Sequence, residues 1–307
     1  MRILFMGTPD YSVKTLEALY NSAHEVIAVF AQPDKPVGRK QILTPPPVKQ
    51  FAVDKGIPVY QPLTLRDGEA FKTIKEINPD VIVVVAYGKI LPEEILNFPK
   101  YGCINGHASL LPKYRGASPI QWCIVCGEKQ TGVTTMLMDE GMDTGDILDT
   151  AVTQIGDEET AEELFERLSV ISADLMLKTL ENIENGNATP VKQNEAEATY
   201  APIIKKDMAH LDFSKSASEL KCAVRGYYSW PCAFCFIEGK RVKVISANVV
   251  KGSGAAGTVI DINGKLVIAC GDDTALELVT VQPEGSKIMT ASQMLCGTKI
   301  PLGTKVS

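Results

Sequence analysis

Asp80-Val-Ile-Val-Val-Val-Ala86 is the stretch that decides the fold, because five β-branched residues stand in a row with no polar residue between them. A strand with one wet face alternates apolar and polar side chains. An unbroken run predicts a strand covered on both faces, as in the middle of a parallel sheet. Working outward, Arg2-Ile-Leu-Phe-Met6 reads as a second buried strand. Gly7-Thr8-Pro9 follows, then an amphipathic helix carrying Val13, Leu16, Leu19 and Tyr20 on one face. Residues 25–31 read as a strand, 32–47 as a long loop rich in Pro, Lys and Arg, and 59–60 as a short strand, with helices near 47–55 and 69–77. This alternation predicts an α/β fold: a doubly wound, Rossmann-like and mostly parallel sheet.

After Tyr101 the pattern changes. Residues 103–109, 131–138 and 147–155 read as strands separated by loops. A long helix starts at the capping box Thr160-x-x-Glu163, repeats Leu164, Leu168, Ile171, Leu175, Leu180 and Ile183 at helical spacing, and stops at Gly186. Residues 187–207 are polar and irregular. A second capping box, Ser216-x-x-Glu219, opens a short helix, and short strands at 234–237, 241–245, 258–262, 265–269 and 275–279 suggest a small OB-like β-barrel. The expected organisation is a first domain over 1–189, a linker over 190–207 and the barrel over 208–307.

Among 307 residues, 45% are hydrophobic and 22% charged, a balance that excludes disordered, collagenous and coiled-coil chains. The longest apolar run, residues 81–87, is too short to span a bilayer. The first strand begins at Arg2 and leaves no room for a leader, so a cytoplasmic protein without a membrane partner is expected. The net charge of −6 hides a split: from Lys205 onward there are 13 Lys and Arg against 9 Asp and Glu, and within residues 205–251 the count is 9 against 4. A basic appendage on an acidic body suits a polyanionic partner, although a modest excess also arises by chance.

The turn at Gly7-Thr-Pro-Asp-Tyr-Ser has one glycine, which is too few for a dinucleotide fingerprint. No Walker A sequence, G-x-S-x-G elbow or H-E-x-x-H helix is present. Among eight cysteines, Cys123/Cys126 and Cys232/Cys235 have C-x2-C spacing. Both pairs sit among apolar residues and lie more than 100 residues apart, so buried hydrophobes are expected there and no metal. Of three histidines, His107 stands out. In Asn105-Gly-His-Ala-Ser-Leu-Leu-Pro112, Asn105 and His107 are two apart on a strand and leave the same face. An amide donor beside an imidazole suits an oxyanion and a proton transfer. The acidic loop Met138-Asp-Glu-Gly-Met-Asp143-Thr-Gly-Asp146 lacks a calcium pattern; it can supply a carboxylate to His107 or be simply a surface turn.

Asn105-x-His107, then Ser109-Leu-Leu-Pro112, with Asp143 36 residues beyond the histidine, resembles the active site of the folate-dependent formyltransferases. Phe5-Met-Gly-Thr-Pro-Asp, Gln32-Pro-Asp-Lys-Pro-Val-Gly-Arg39, Ser109 through Arg115-Gly-Ala-Ser-Pro-Ile-Gln121, Thr131-Gly-Val-Thr, Ala198-Thr-Tyr-Ala-Pro202 and Arg225-Gly-Tyr-Tyr-Ser-Trp-Pro231 resemble the branch whose acceptor is methionyl-initiator tRNA. Two positions depart from the family pattern: the loop after Gly38 is slightly less basic, and Gly106 replaces a larger residue, often Val or Ile.

The resemblance implies transfer of a formyl group from 10-formyltetrahydrofolate, a donor substrate, to the α-amino group of methionine on initiator tRNA. Asn105, His107 and Asp143 would be catalytic, stabilising the tetrahedral intermediate and moving the amine proton. The folate would lie beside Tyr87, Gly88, Lys89, Ile90 and Leu91, with Ser109, Leu110, Leu111 and Pro112 as a wall. The tRNA would meet Lys35, Arg39 and Lys40 in the first domain and Lys205, Lys206, Arg225, Lys240, Arg241 and Lys243 in the OB-like domain, on a monomeric protein. The competing expectations are a sugar-nucleotide N-formyltransferase, a 10-formyltetrahydrofolate hydrolase and a noncatalytic RNA-binding protein.

Overall fold

In the computed structural model, which describes residues 1–38 and 40–307, the decisive run becomes the strand Val81–Val85 with every side chain buried. Burying each such side chain contributes roughly 1.5–3 kcal/mol, and β-branching favours the pleated backbone. The strand lies in a seven-stranded sheet of order Asp146–Gln154, Gln130–Leu137, Cys103–His107, Val81–Val85, Arg2–Gly7, Glu25–Phe30, Val59–Tyr60. The last five are parallel and the first two join antiparallel. From Arg2–Gly7 the chain first builds outward through Glu25–Phe30 and Val59–Tyr60, then returns to add Val81–Val85 and Cys103–His107 on the other side. Such a switch point leaves a crevice beyond the carboxyl ends of the strands. The doubly wound, mostly parallel α/β fold expected from the sequence is present.

Local chemistry accounts for the joints. A Cβ on Gly7 would stand 2.9 Å from Ser12 Cβ, so only glycine permits this tight turn into the helix Asp10–Tyr20. Ser12 Oγ donates to the Val85 carbonyl at 2.6 Å and fixes that helix to the central strand. The helix Ala161–Glu184 begins where the capping box predicts, with Thr160 N donating to Glu163 Oε2 at 2.8 Å and Glu163 N to Thr160 Oγ1 at 3.3 Å. The expected loop over 32–47 contains a hairpin of Lys35–Val37 with Ile42–Thr44. Both of its strands are fully exposed and three residues long, so no burial alternation marks them in the sequence. Arg39 lies outside the described residues.

The chain divides into two units that interleave along the sequence. One comprises Met1–Gly116, Gln130–Gln154 and Phe165–Ala201; the other comprises Ala117–Lys129, Ile155–Leu164 and Pro202–Ser307. The second unit is a curled antiparallel half-barrel of order Phe234–Ile237, Lys240–Lys251, Thr274–Pro283, Leu266–Ala269, Val259–Asp261, with Met289–Thr290 added to Thr274–Pro283. Register shifts between Val244 and Ala247 bend its longest strand. Bridges from Val306 to Ile237 and from Lys305 to Thr258 cover both of its outer edges.

Where the sequence suggests contiguous domains over 1–189 and 208–307, the helix Pro119–Val125 packs on Ala217–Gly226 inside the second unit. A Cβ on Gly226 would come within 2.5 Å of Val125 Cγ2, so the close approach depends on glycine. Apolar pairing across that sequence distance leaves no local signature. No described helix is long and apolar enough to cross a membrane.

Candidate active site

The segments that follow neighbouring parallel strands converge at the switch point. The Tyr87 carbonyl accepts hydrogen bonds from Thr8 Oγ1 at 3.1 Å and Gln32 Nε2 at 3.0 Å, which ties the exits of three strands together. On the adjacent strand, Asn105 and His107 project from one face, as their spacing requires. Gly106 turns to the opposite face, where a Cβ would stand 3.1 Å from Ser172 Oγ and 3.4 Å from Met176 Cε. The volume that a larger residue would occupy is thus taken by the helix Ala161–Glu184.

His107 is buried, and its Nε2 lies 2.9 Å from the Tyr114 carbonyl oxygen. A carbonyl only accepts, so Nε2 carries a hydrogen and Nδ1 is the nitrogen left for chemistry. Nδ1 lies 3.7 Å from Asp143 Oδ2, within ion-pair reach when the ring is protonated. Asp143 Oδ2 also accepts from Gly116 N at 2.8 Å, and Oδ1 from Asn105 Nδ2 at 3.4 Å. The structure therefore brings Asn105, His107 and Asp143 to one point. The second hydrogen of the Asn105 amide has no acceptor in this set and can meet a developing oxyanion.

Residues 87–91 and 109–112 follow adjacent strands at this edge. Tyr87 and Leu91 belong to the apolar core beneath the site, and burial pushes the Tyr87 phenol well above its ordinary value. Gly88 has φ +81°, a conformation that glycine adopts without strain. Ile90 is exposed, and Lys89 Nζ donates to the carbonyls of Pro62 and Leu63. Ser109 is fully buried and its Oγ donates to the Lys113 carbonyl at 2.6 Å, a locked hydroxyl that suits a wall and not a nucleophile. Leu111 is buried, while Leu110 and Pro112 are half-buried.

The basic candidates separate by their surroundings. Lys35 and Lys40 are exposed in the first unit; Lys205, Lys206 and Lys240 are exposed in the second. Lys243 and Arg241 oppose Phe234 and Phe236 across one strand pair, and the Arg241 guanidinium lies 3.8 Å from the Phe234 ring centre. Arg225 differs from expectation. Its Nη1 donates to the Gly156 carbonyl at 3.1 Å and the Glu159 carbonyl at 2.9 Å, so this end of the guanidinium is engaged inside the second unit. Cys123, Cys232 and Cys235 are buried as expected, whereas Cys126 is exposed; among the described residues no three His, Cys, Asp or Glu side chains cluster as a metal would require.

Sequence reasoning did not find the support behind Asp143. Arg115 is fully buried, and its guanidinium forks onto Glu195 at 2.7 and 2.9 Å and onto Gln193 Oε1 at 2.8 and 3.0 Å. Glu195 is held well below the ordinary carboxylate range by its hydrogen bond to Arg115. Tyr200–Ala201 pairs in parallel with Arg115–Gly116, so residues 193–201, read from composition as linker, are fastened to the first unit. An arginine between aromatic and glycine residues is a weak signal for this arrangement; nothing in the sequence marks Gln193.

With this geometry, comparison with known proteins identifies the class. The formyl transferase family model matches residues 1–180, and that of the formyl transferase C-terminal domain matches residues 203–299; the chain belongs to the formyl transferase family. Among its relatives, the methionyl-tRNA formyltransferase of Thermodesulfovibrio yellowstonii is 46% identical over 301 residues, covering 98% of this chain and 97% of that protein. The methionyl-tRNA formyltransferase of Alkaliphilus oremlandii is 47% identical over 305 residues, covering 99% and 98%. A solved N-formyltransferase from Helicobacter canadensis, in complex with folinic acid and dTDP-3-aminofucose, shares the fold at TM-score 0.70 and 20% identity, covering 92% of this chain and 98% of that one.

Proposed function

We propose that this chain transfers the formyl group of 10-formyltetrahydrofolate to the α-amino group of methionyl-initiator tRNA, in the cytoplasm. The observation that carries the reading is the meeting of Asn105, His107 and Asp143 at the sheet's carboxyl edge. Near-full-length identity to proteins named for this reaction supports the choice of acceptor. The segments 87–91 and 109–112 offer the donor an apolar wall with backbone amides and carbonyls beside it, and the bound folate supplies an activated formyl carbon. The acceptor amine is its own nucleophile, with a pKa of roughly 8 or below, so the protein needs no covalent nucleophile.

Asn105 donates its remaining amide hydrogen to the oxygen on which charge builds as the amine adds. His107, anchored through Nε2, accepts the amine proton at Nδ1 and passes it to the departing nitrogen, directly or through water. The Tyr114 carbonyl orients the ring through Nε2, and Asp143 stabilises its protonated form. The first unit would do this chemistry, while the exposed lysines of the second would hold tRNA phosphates.

The test offers the purified chain 10-formyltetrahydrofolate with methionyl-initiator tRNA, with an amino-sugar nucleotide, or with water alone. Formylation of the tRNA alone is expected; transfer to the sugar, or release of formate, would replace this reading. His107→Ala and Asp143→Ala should lose most turnover and keep tRNA affinity.

A further inference from the structure

Asp143 adopts φ +55°, the left-handed region that an aspartate enters as a single residue under constraint. Three contacts hold it there. Gly116 N donates to its carboxylate at 2.8 Å. Gln193 Nε2 donates to the Asp143 carbonyl at 2.9 Å and to the Gly145 carbonyl at 2.7 Å, so one amide clasps both ends of the turn. The orientation of that amide is forced. Arg115 has only donors and must face Oε1, while the two carbonyls only accept and must face Nε2. Arg115 is in turn fixed by its fork onto Glu195 and by the pairing of Arg115–Gly116 with Tyr200–Ala201.

We infer that Gln193 is a positioning residue for formyl transfer: a strap over residues 193–201, locked through buried Arg115, holds Asp143 in its left-handed turn with the carboxylate aimed at His107. The inference rests on the proposed function. The same arginine and its neighbour Gly116 carry both the strap and the backbone amide on the carboxylate, so strap and site move together. The mechanism itself leaves these contacts without a role, because Gln193 and Arg115 spend their hydrogen bonds on each other, on Glu195 and on the turn carbonyls of residues 143 and 145.

Gln193→Glu isolates the clasp. Glutamate keeps an oxygen for Arg115 but turns a second oxygen toward two carbonyls, so donation is lost and shape is retained. The expected result is a fall in kcat of about a hundredfold, the scale of a misplacement near 1 Å, with KM for folate and tRNA unchanged. In an Asp143→Asn background the same substitution should change kcat no further, because the group it positions no longer carries its charge. A melting curve accompanies each variant. Should the glutamate variant fail to fold, Gln193→Met carries the same comparison. If the unsubstituted chain formylates tRNA while Gln193→Glu turns over equally fast, or loses as much in the Asp143→Asn background, the positioning role is wrong. If the unsubstituted chain formylates nothing, the proposed function falls first.

Discussion

Replacing Asn105 by alanine isolates the oxyanion donor from everything else at the site. The amide has two hydrogens. One reaches Asp143 Oδ1 at 3.4 Å, beyond the 2.7–3.2 Å of a strong N–H···O bond, so losing it costs under about 1 kcal/mol. Asp143 keeps its stronger contacts to Gly116 N and Gln193, and His107 keeps its anchor on Tyr114. The side chain is only half-buried and the strand's backbone pairing is unaffected, so the fold should persist. What disappears is a donor to developing charge, worth roughly 3 kcal/mol. At 1.36 kcal/mol per decade that is a fall in kcat of somewhat more than about a hundredfold. Single-turnover formylation with enzyme in excess measures the chemical step, and a melting curve checks the fold. A loss below about tenfold, or one that appears in KM with kcat intact, would refute the assignment of Asn105 to the oxyanion.

Three further outcomes are expected. Because Glu195 is held below its ordinary value by Arg115, this pair stabilises the fold above the unfolded value near pH 4.3 and loses its contribution as pH falls through the lower folded value. The stability difference between the unsubstituted chain and Glu195→Gln should therefore be present at neutral pH and vanish in acid, as melting curves at several pH values will show. In thiol labelling of the native protein, exposed Cys126 and Cys296 should react, while buried Cys103 and Cys235, pushed up to about 12 by desolvation, should react only after unfolding. Mass spectrometry of the labelled peptides decides the order. Removing the charge of Lys206 or Lys243 should weaken tRNA binding and lower the magnitude of its salt slope by about 1 each, read by titration against salt; an unchanged slope puts the phosphates elsewhere.

The parts legible in the sequence are those whose cause is local. Val81–Val85 declares a two-sided strand by lacking polar residues, and Thr160 with Glu163 marks a helix start by spacing alone. Asn105 and His107 share a face because strands alternate. The acidic loop is visible as a carboxylate source for His107, but only the family resemblance singles out Asp143 among its aspartates, since its approach to His107 depends on a left-handed turn held from residue 193. Arg225 read as a free cation because charge is visible in a sequence and the carbonyls of residues 156 and 159 are not. The hairpin over 35–44 was hidden because, with both faces wet, its strands have no burial pattern to display.

The dependence of Gly226 on Val125 bears on any attempt to treat the half-barrel as a transplantable cassette. A gene fragment cut where the second family model begins, at residue 203, leaves behind Ala117–Lys129 and Ile155–Leu164, which belong to the same unit. The excised piece would carry Arg225 without the two carbonyls it donates to and a helix whose glycine has lost the neighbour it was shaped to admit. Recombination at that boundary would yield hybrids that aggregate unless the recipient supplies an equivalent helix. A transplant that respects the fold would therefore carry residues 117–129 and 155–164 together with residues 202–307.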